Sequence, residues 1–165
     1  IQAKVFRMAG MGGGDRGVFA AGGGPSATNV IQYITITSTG NATDFGDLTQ
    51  KTRLAAACSN STRALYAGGD DPSLSPYTNI IQYVTIASTG NATDFGDLTV
   101  ARTELTSCSA PTRGVFAGGS TPASATLNTI DYVAILTTGN AVDFGDMATA
   151  TSFRPGGTSN AHGGL

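Results

Sequence analysis

Three features of the sequence predict an all-β fold assembled from repeated four-stranded antiparallel units. They are a period near fifty residues, short runs rich in β-branched and aromatic residues, and glycine-rich punctuation between those runs. Composition agrees. Of 165 residues only 12% are charged, about half the usual share, and 23 are glycine. Such a chain makes many turns and few long helices. Its apolar residues lie in short runs, none near the roughly 18 that a membrane-crossing helix needs. Nine Lys and Arg against eleven Asp and Glu, a net charge of -2, form no basic track for a phosphate backbone. Neither membrane insertion nor nucleic-acid binding is expected. The chain opens at Ile1 without a basic stretch followed by an apolar one, so any targeting segment is expected to have been removed or not included.

The repeat organises everything else. Residues 29–49 read NVIQYITITSTGNATDFGDLT and residues 79–99 read NIIQYVTIASTGNATDFGDLT, differing only at Val30/Ile80, Ile34/Val84 and Thr37/Ala87. A more diverged copy, NTIDYVAILTTGNAVDFGDMA, occupies 128–148. A second block keeps the same step: DRGVFAAGG at 15–23, TRALYAGG at 62–69 and TRGVFAGG at 112–119. Between them lie weaker segments of small residues, LAAACSNST at 54–62 and ELTSCSAPT at 104–112.

Within a unit, LAAACS is a first short strand, NST or APT with the following Arg a tight turn, and ALYAGG or GVFAGG a second strand ended by paired glycines that allow positive φ. A variable loop follows. The third strand, 79–87, is dominated by Ile80, Ile81, Tyr83, Val84, Thr85 and Ile86. Alternation puts Ile81, Tyr83 and Thr85 on one face and Ile80, Gln82, Val84 and Ile86 on the other, so both faces are expected to be covered. STGNATD is a turn, and Phe95 to Leu98 begins a short outer strand.

A four-stranded sheet that is apolar on both faces cannot bury itself, so neighbouring copies must stack face to face. Radial stacking of small sheets is a β-propeller. The expected single domain, 1–165, holds three blades, at about 4–49, 53–99 and 102–148, and a partial fourth at about 158–165, where SNAHGGL resembles the start of another copy.

The pattern resembles the kelch-type propeller repeat. The matching positions are Gly68 and Gly69, Tyr83, Phe95 and Arg102; then Gly118 and Gly119, Tyr132, Phe144 and Arg154; and, in the first copy, Gly22 and Gly23, Tyr33, Phe45 and Arg53. Kelch blades usually carry Trp where this chain has Phe in DFGD, and the chain has no Trp, which makes it kelch-like. The resemblance implies a ring of about five to seven blades, so closure must come from outside these three. Either the chain is a piece of a longer array or copies associate, as two chains making six blades or as filaments joined by exchanged strands. The wording of the repeat, STGNATDFGDLT with TRGVFAGG, is also similar to repeats in uncharacterised virion proteins of marine tailed phages, which implies a tail fibre or similar appendage.

Several residue sets invite a chemical reading. The pairs Asp44 and Asp47, Asp94 and Asp97, and Asp143 and Asp146 carry two carboxylates each, few for calcium, and are read as turn caps. Gly12–Gly14 and Gly22–Gly24 lack the Lys and helix of a phosphate loop. Cys58 and Cys108, in equivalent positions, are read as buried free thiols. His162 is the only histidine and has no ligand or catalytic partner near it in sequence. Asn41, Asn60 and Asn91 stand in glycosylation sequons, relevant only in a eukaryotic secretory setting.

No enzyme activity and no cofactor is expected. Arg16, Arg63 and Arg113 recur in the turn before the second strand, where they could meet an anionic glycan or a partner carboxylate. In the variable loops, Asp70, Asp71 and Tyr77 are the candidate ligand or partner residues. The leading expectation is a structural or adhesive, self-associating repeat protein of an extracellular assembly or virion, forming filaments or attaching to a host-surface glycan or protein. The alternative is a kelch-like scaffold that binds a protein partner through the variable loops.

Overall fold

The β-branched and aromatic runs form strands where their alternation places them. The computed structural model describes residues 9–22, 27–71 and 77–151, and within them every regular element is a β-strand. Sheet one contains β1 (Ala9–Gly13), β2 (Arg16–Ala20), β3 (Thr28–Thr35) and β4 (Thr43–Thr52). Sheet two contains β5 (Ala56–Ser59), β6 (Arg63–Ala67), β7 (Ile80–Thr85) and β8 (Thr93–Asp97). Sheet three contains β9 (Thr106–Ser109), β10 (Arg113–Ala117), β11 (Thr129–Ala134) and β12 (Val142–Asp146). Each sheet is an antiparallel meander in chain order.

The strands fall inside the expected units except that β4 continues to Thr52, past the expected end of the first unit at 49. The expected partial fourth unit at 158–165, with His162, and Arg154 lie outside the described residues.

Each second strand ends where the chain turns with positive φ. Glycine pairs fill both positions in sheets two and three, but in sheet one they are Ala21 and Gly22, at φ of 59° and 97°, not the expected Gly22 and Gly23, of which Gly23 lies outside the described residues. Gly68 and Gly69 have φ of 66° and 100°, and a Cβ on Gly68 would sit 2.6 Å from the Arg102 carbonyl oxygen. The third and fourth strands share a bulge. In sheet two the register slips between Ile81 and Gln82, so that Phe95 is the extra residue between Asp94 and Gly96; sheets one and three slip at Ile31/Gln32 and Ile130/Asp131.

Two-faced strands need two covers, and the core is accordingly divided between two junctions. Between sheets one and two, Val18, Ala20, Ile31, Phe45 and Leu48 pack against Ala64, Tyr66, Val84 and Ile86. Between sheets two and three, Leu65, Ala67, Ile81, Phe95 and Leu98 pack against Leu105, Phe116, Val133 and Ile135. Alternation decides the assignment residue by residue: in β6, Ala64 and Tyr66 face sheet one, while Leu65 and Ala67 face sheet three. At about 25 cal/mol per Å² of buried apolar surface, these junctions rather than any one sheet supply the hydrophobic stabilisation. The first strands run side by side, β1 beside β5 and β5 beside β9, where Ser107 and Ser109 Oγ donate to the Ala57 and Ser59 carbonyls at 2.6 and 2.7 Å.

Candidate functional site

The site with the most recurring chemistry is the face by which one sheet meets the next. The second strand of each sheet begins with Arg, and the register places that Arg diagonally from the Tyr of the third strand on the same face. The guanidinium carbons of Arg16, Arg63 and Arg113 lie 4.8, 4.5 and 4.8 Å from the ring centres of Tyr33, Tyr83 and Tyr132. Each Tyr in turn meets the bulge Phe edge to face, with ring centres 5.9 Å apart in Tyr33–Phe45, Tyr83–Phe95 and Tyr132–Phe144. An Arg–Tyr–Phe ladder thus crosses three strands of every sheet.

The next sheet receives the ladder. Arg16 Nη1 donates to the Ile86 carbonyl oxygen of sheet two at 2.9 Å, and Arg63 Nη1 repeats this to Ile135 of sheet three at 3.1 Å. Arg113 stands on the outer face of sheet three and is exposed.

Main-chain bonds lock the same face. The turn of sheet two lies along β4, with Gly90 N donating to Phe45 O at 2.7 Å, Ala92 N to Asp47 O at 2.8 Å and Asp47 N to Asn91 Oδ1 at 3.0 Å. One step on, Gly139 N donates to Phe95 O, Ala141 N to Asp97 O and Asp97 N to Asn140 Oδ1, at 2.8, 2.8 and 3.1 Å. This close approach requires glycine at 46 and 96. A Cβ there would run into the carbonyl oxygen of Gly90 or Gly139, and φ is +144° at both.

A buried polar cluster accompanies each junction. Thr49 N and Oγ1 donate to Gln82 Oε1 at 2.7 and 2.9 Å between sheets one and two. Between sheets two and three the same positions hold Thr99 and Asp131, with Thr99 Oγ1 donating at 2.7 Å and Thr99 N at 3.1 Å. Asp131 there also accepts from Arg102 Nη2 at 3.0 Å, and Arg102 stands where the first junction has Thr52. Burial pulls the Arg102 pKa below its ordinary value, and the adjacent Asp131 opposes that pull.

The candidate loop residues are placed differently. Arg53 Nε and Nη2 both donate to the Asp70 carboxylate at 3.1 Å, so Asp70 is a buried ion-pair partner that ties down the start of its loop. Asp71 is buried beside it and Tyr77 is half-buried. Arg53 and Arg102 are not equivalent positions: the bridges Arg53 to Asp70 and Thr103 to Ser120 correspond, which sets Arg53 opposite Thr103.

Asp143 Oδ1 accepts from Gly145 N at 3.0 Å, a local turn cap. Asn60 is buried, and its Oδ1 accepts from Thr62 N and Arg63 N at 2.9 and 2.8 Å while Nδ2 donates to the Pro111 carbonyl oxygen at 3.0 Å, so this sequon asparagine is built into the fold. Cys58 and Cys108 are free thiols, the first buried and the second half-buried. Among the described residues no group of three or more His, Cys, Asp or Glu gathers where it could hold a metal ion.

Sequence reasoning picked out the arginines, Tyr83 and Phe95 but missed Asn91, Asn140, Gln82 and Asp131 as contacts between units. Aligning the three copies carried a signal for the last two. Gln82 becomes Asp131 where Thr52 becomes Arg102, a paired change that a contact explains.

Fold and site together define a class, an all-β repeat protein whose four-stranded sheets associate through one recurring face. Its sequence matches no protein-family model and no curated protein.

Proposed function

We propose that this chain is a non-enzymatic structural repeat protein of an extracellular assembly, a virion appendage of the tail-fibre kind, acting through subunit contacts and attachment to a host surface. The observation that carries the reading is that the junction between sheets one and two recurs between sheets two and three. Ladder, turn and buried acceptor sit at equivalent positions and nearly the same distances. A chain that places Arg16 and Arg63, Asn91 and Asn140, and Gln82 and Asp131 at equivalent points of a repeated junction is built to be stacked. The wording of the repeats, similar to that of tailed-phage virion proteins, supports the same setting.

The three sheets are read here as kelch-like propeller blades, with further blades completing the ring. The resemblance rests on the glycine pair, Tyr and Phe, and in sheet two these follow the second strand, stand in the third and stand in the fourth, which supports the reading.

Immunogold labelling tests the function. An antibody raised against the exposed STGNATD turn is applied to particles released by cells that carry the gene. Gold on an appendage of the particle is the expected result. Gold confined to the cell interior would contradict it and transfer the reading to a protein-binding scaffold.

A further inference from the structure

The two outermost faces of the described array are the two halves of one junction. The face of sheet one that turns away from sheet two carries Ile36, Gly40, Asn41 and Ala42, which correspond to Ile86, Gly90, Asn91 and Ala92. The opposite face of sheet three carries Arg113, Phe144, Gly145 and Asp146, which correspond to Arg63, Phe95, Gly96 and Asp97.

Exposure marks both as uncovered. Phe45 and Phe95 are 2% and 3% exposed inside their junctions, whereas Phe144 is 56% exposed. Ile86 and Ile135 are 2% and 0% exposed, whereas Ile36 is 60% exposed. A Cβ on Gly145 would meet nothing within 4 Å, although its counterparts at 46 and 96 would strike a docked turn.

The buried polar positions of the two faces are compatible in charge, although Ala148 stands where the internal junctions have Thr49 and Thr99, so the hydroxyl donor of those junctions is absent. At the positions of the Arg102–Asp131 pair the first junction has Thr52 and Gln82, so the two positions are both neutral in one junction and of opposite charge in the other. The outer face of sheet three has Thr151 at this position, and the outer face of sheet one has Gln32. They reproduce the neutral combination, and neither would bury an unpaired charge.

We infer that the outer face of sheet three is a docking surface for the outer face of sheet one of a second copy of this chain, head to tail, with Arg113 donating to the Ile36 carbonyl and the Gly40–Ala42 turn lying along β12. This rests on the reading of the protein as a stacking unit and names the surfaces that stack. The contact is heterologous, so it closes into a ring or continues as a filament according to the rotation at each step. An apolar aromatic beside an Arg is the residue combination that concentrates binding energy at interfaces.

Two exposed substitutions, Phe144→Asp and Ile36→Asp, each block one face and leave the internal junctions untouched. Sedimentation velocity of the wild-type chain up to about 100 µM is expected to show species larger than the monomer, and each variant alone is expected to have its self-association weakened at least about tenfold. Mixing the variants restores a single heterodimer, because one intact face survives on each. A monomeric wild type, association unaffected by either substitution, or no heterodimer on mixing overturns the inference. Because labelling of the appendage is read separately, a failed docking surface and a failed functional assignment give different patterns.

Discussion

Arg102 and Asp131 form a fully buried ion pair, 3.0 Å between Nη2 and Oδ2, that links the segment after sheet two to the third strand of sheet three. Arg102 Nη2 also donates to the Phe116 carbonyl oxygen at 3.2 Å, while its Nε and Nη1 have no partner among the described residues. Breaking such a pair is costly, but replacing both partners together is not. Asp131→Asn is therefore expected to lower stability by about 3–5 kcal/mol by leaving the guanidinium uncompensated. The double variant Arg102→Thr with Asp131→Gln copies the neighbouring junction and is expected to be more stable than either single change. Urea unfolding of wild type, Arg102→Thr, Asp131→Gln and the double variant gives the coupling directly.

Arg63 and Arg113 test the inter-sheet bond against an internal control. Both lie over a Tyr, but only Arg63 reaches a carbonyl of a following sheet. Arg63→Met is expected to cost about 1–2 kcal/mol, and Arg113→Met to stay within about 0.5 kcal/mol in the monomer. Equal losses in thermal or urea unfolding would contradict the contact.

Gly96 and Gly145 share positive φ, at 144° and 133°, and differ in what lies opposite. Alanine at either position pays for the backbone conformation, roughly 1–2 kcal/mol. At 96 it also drives the Gly139 turn away from Phe95 and Asp97, so Gly96→Ala is expected to lose at least about 3 kcal/mol in total. The difference between the two variants isolates the docked turn.

Alkaline pH probes the core. Burial, with Cys108 adding, pushes the Cys58 thiol from its ordinary 9.0 up to about 12, so the folded protein holds a proton that the unfolded chain has already released. The associated stability is complete below pH 9 and falls as pH rises toward 12, a loss of about 2 kcal/mol by roughly pH 10.5. Burial also raises the Tyr66 pKa above its ordinary 10.0, which steepens the loss above pH 10. Urea midpoints for wild type and Cys58→Ala under reducing conditions should converge between pH 8 and pH 10.5. Parallel curves would contradict the burial effect.

The all-β class, the strand order within a unit and the two-faced third strand were legible because β-branched and aromatic alternation records burial directly. Ile81 with Tyr83 and Val84 with Ile86 do face different sheets. The junction chemistry was less legible. Asp44, Asp94 and Asp143 draw attention as repeated carboxylates, yet the inter-sheet acceptors are Asn91 and Asn140, whose role depends on a turn docking onto a strand about forty residues away. Asp70 looks like an exposed loop acid until Arg53, seventeen positions earlier, is found against it. Contacts between units leave a pattern in sequence only when both partners change together, as Thr52/Gln82 and Arg102/Asp131 do.

Amide hydrogen exchange, measured residue by residue at a concentration where the chain is monomeric, tests the recurring junction most directly. Gly90, Ala92, Gly139 and Ala141 donate across junctions, while Gly40 and Ala42 occupy the same turn on an uncovered face. The first four amides are expected to exchange at least about a hundredfold more slowly than the last two. Equal, rapid exchange at all six positions would mean that the turns do not dock on the preceding sheet, and the account of a stacked repeat would fail.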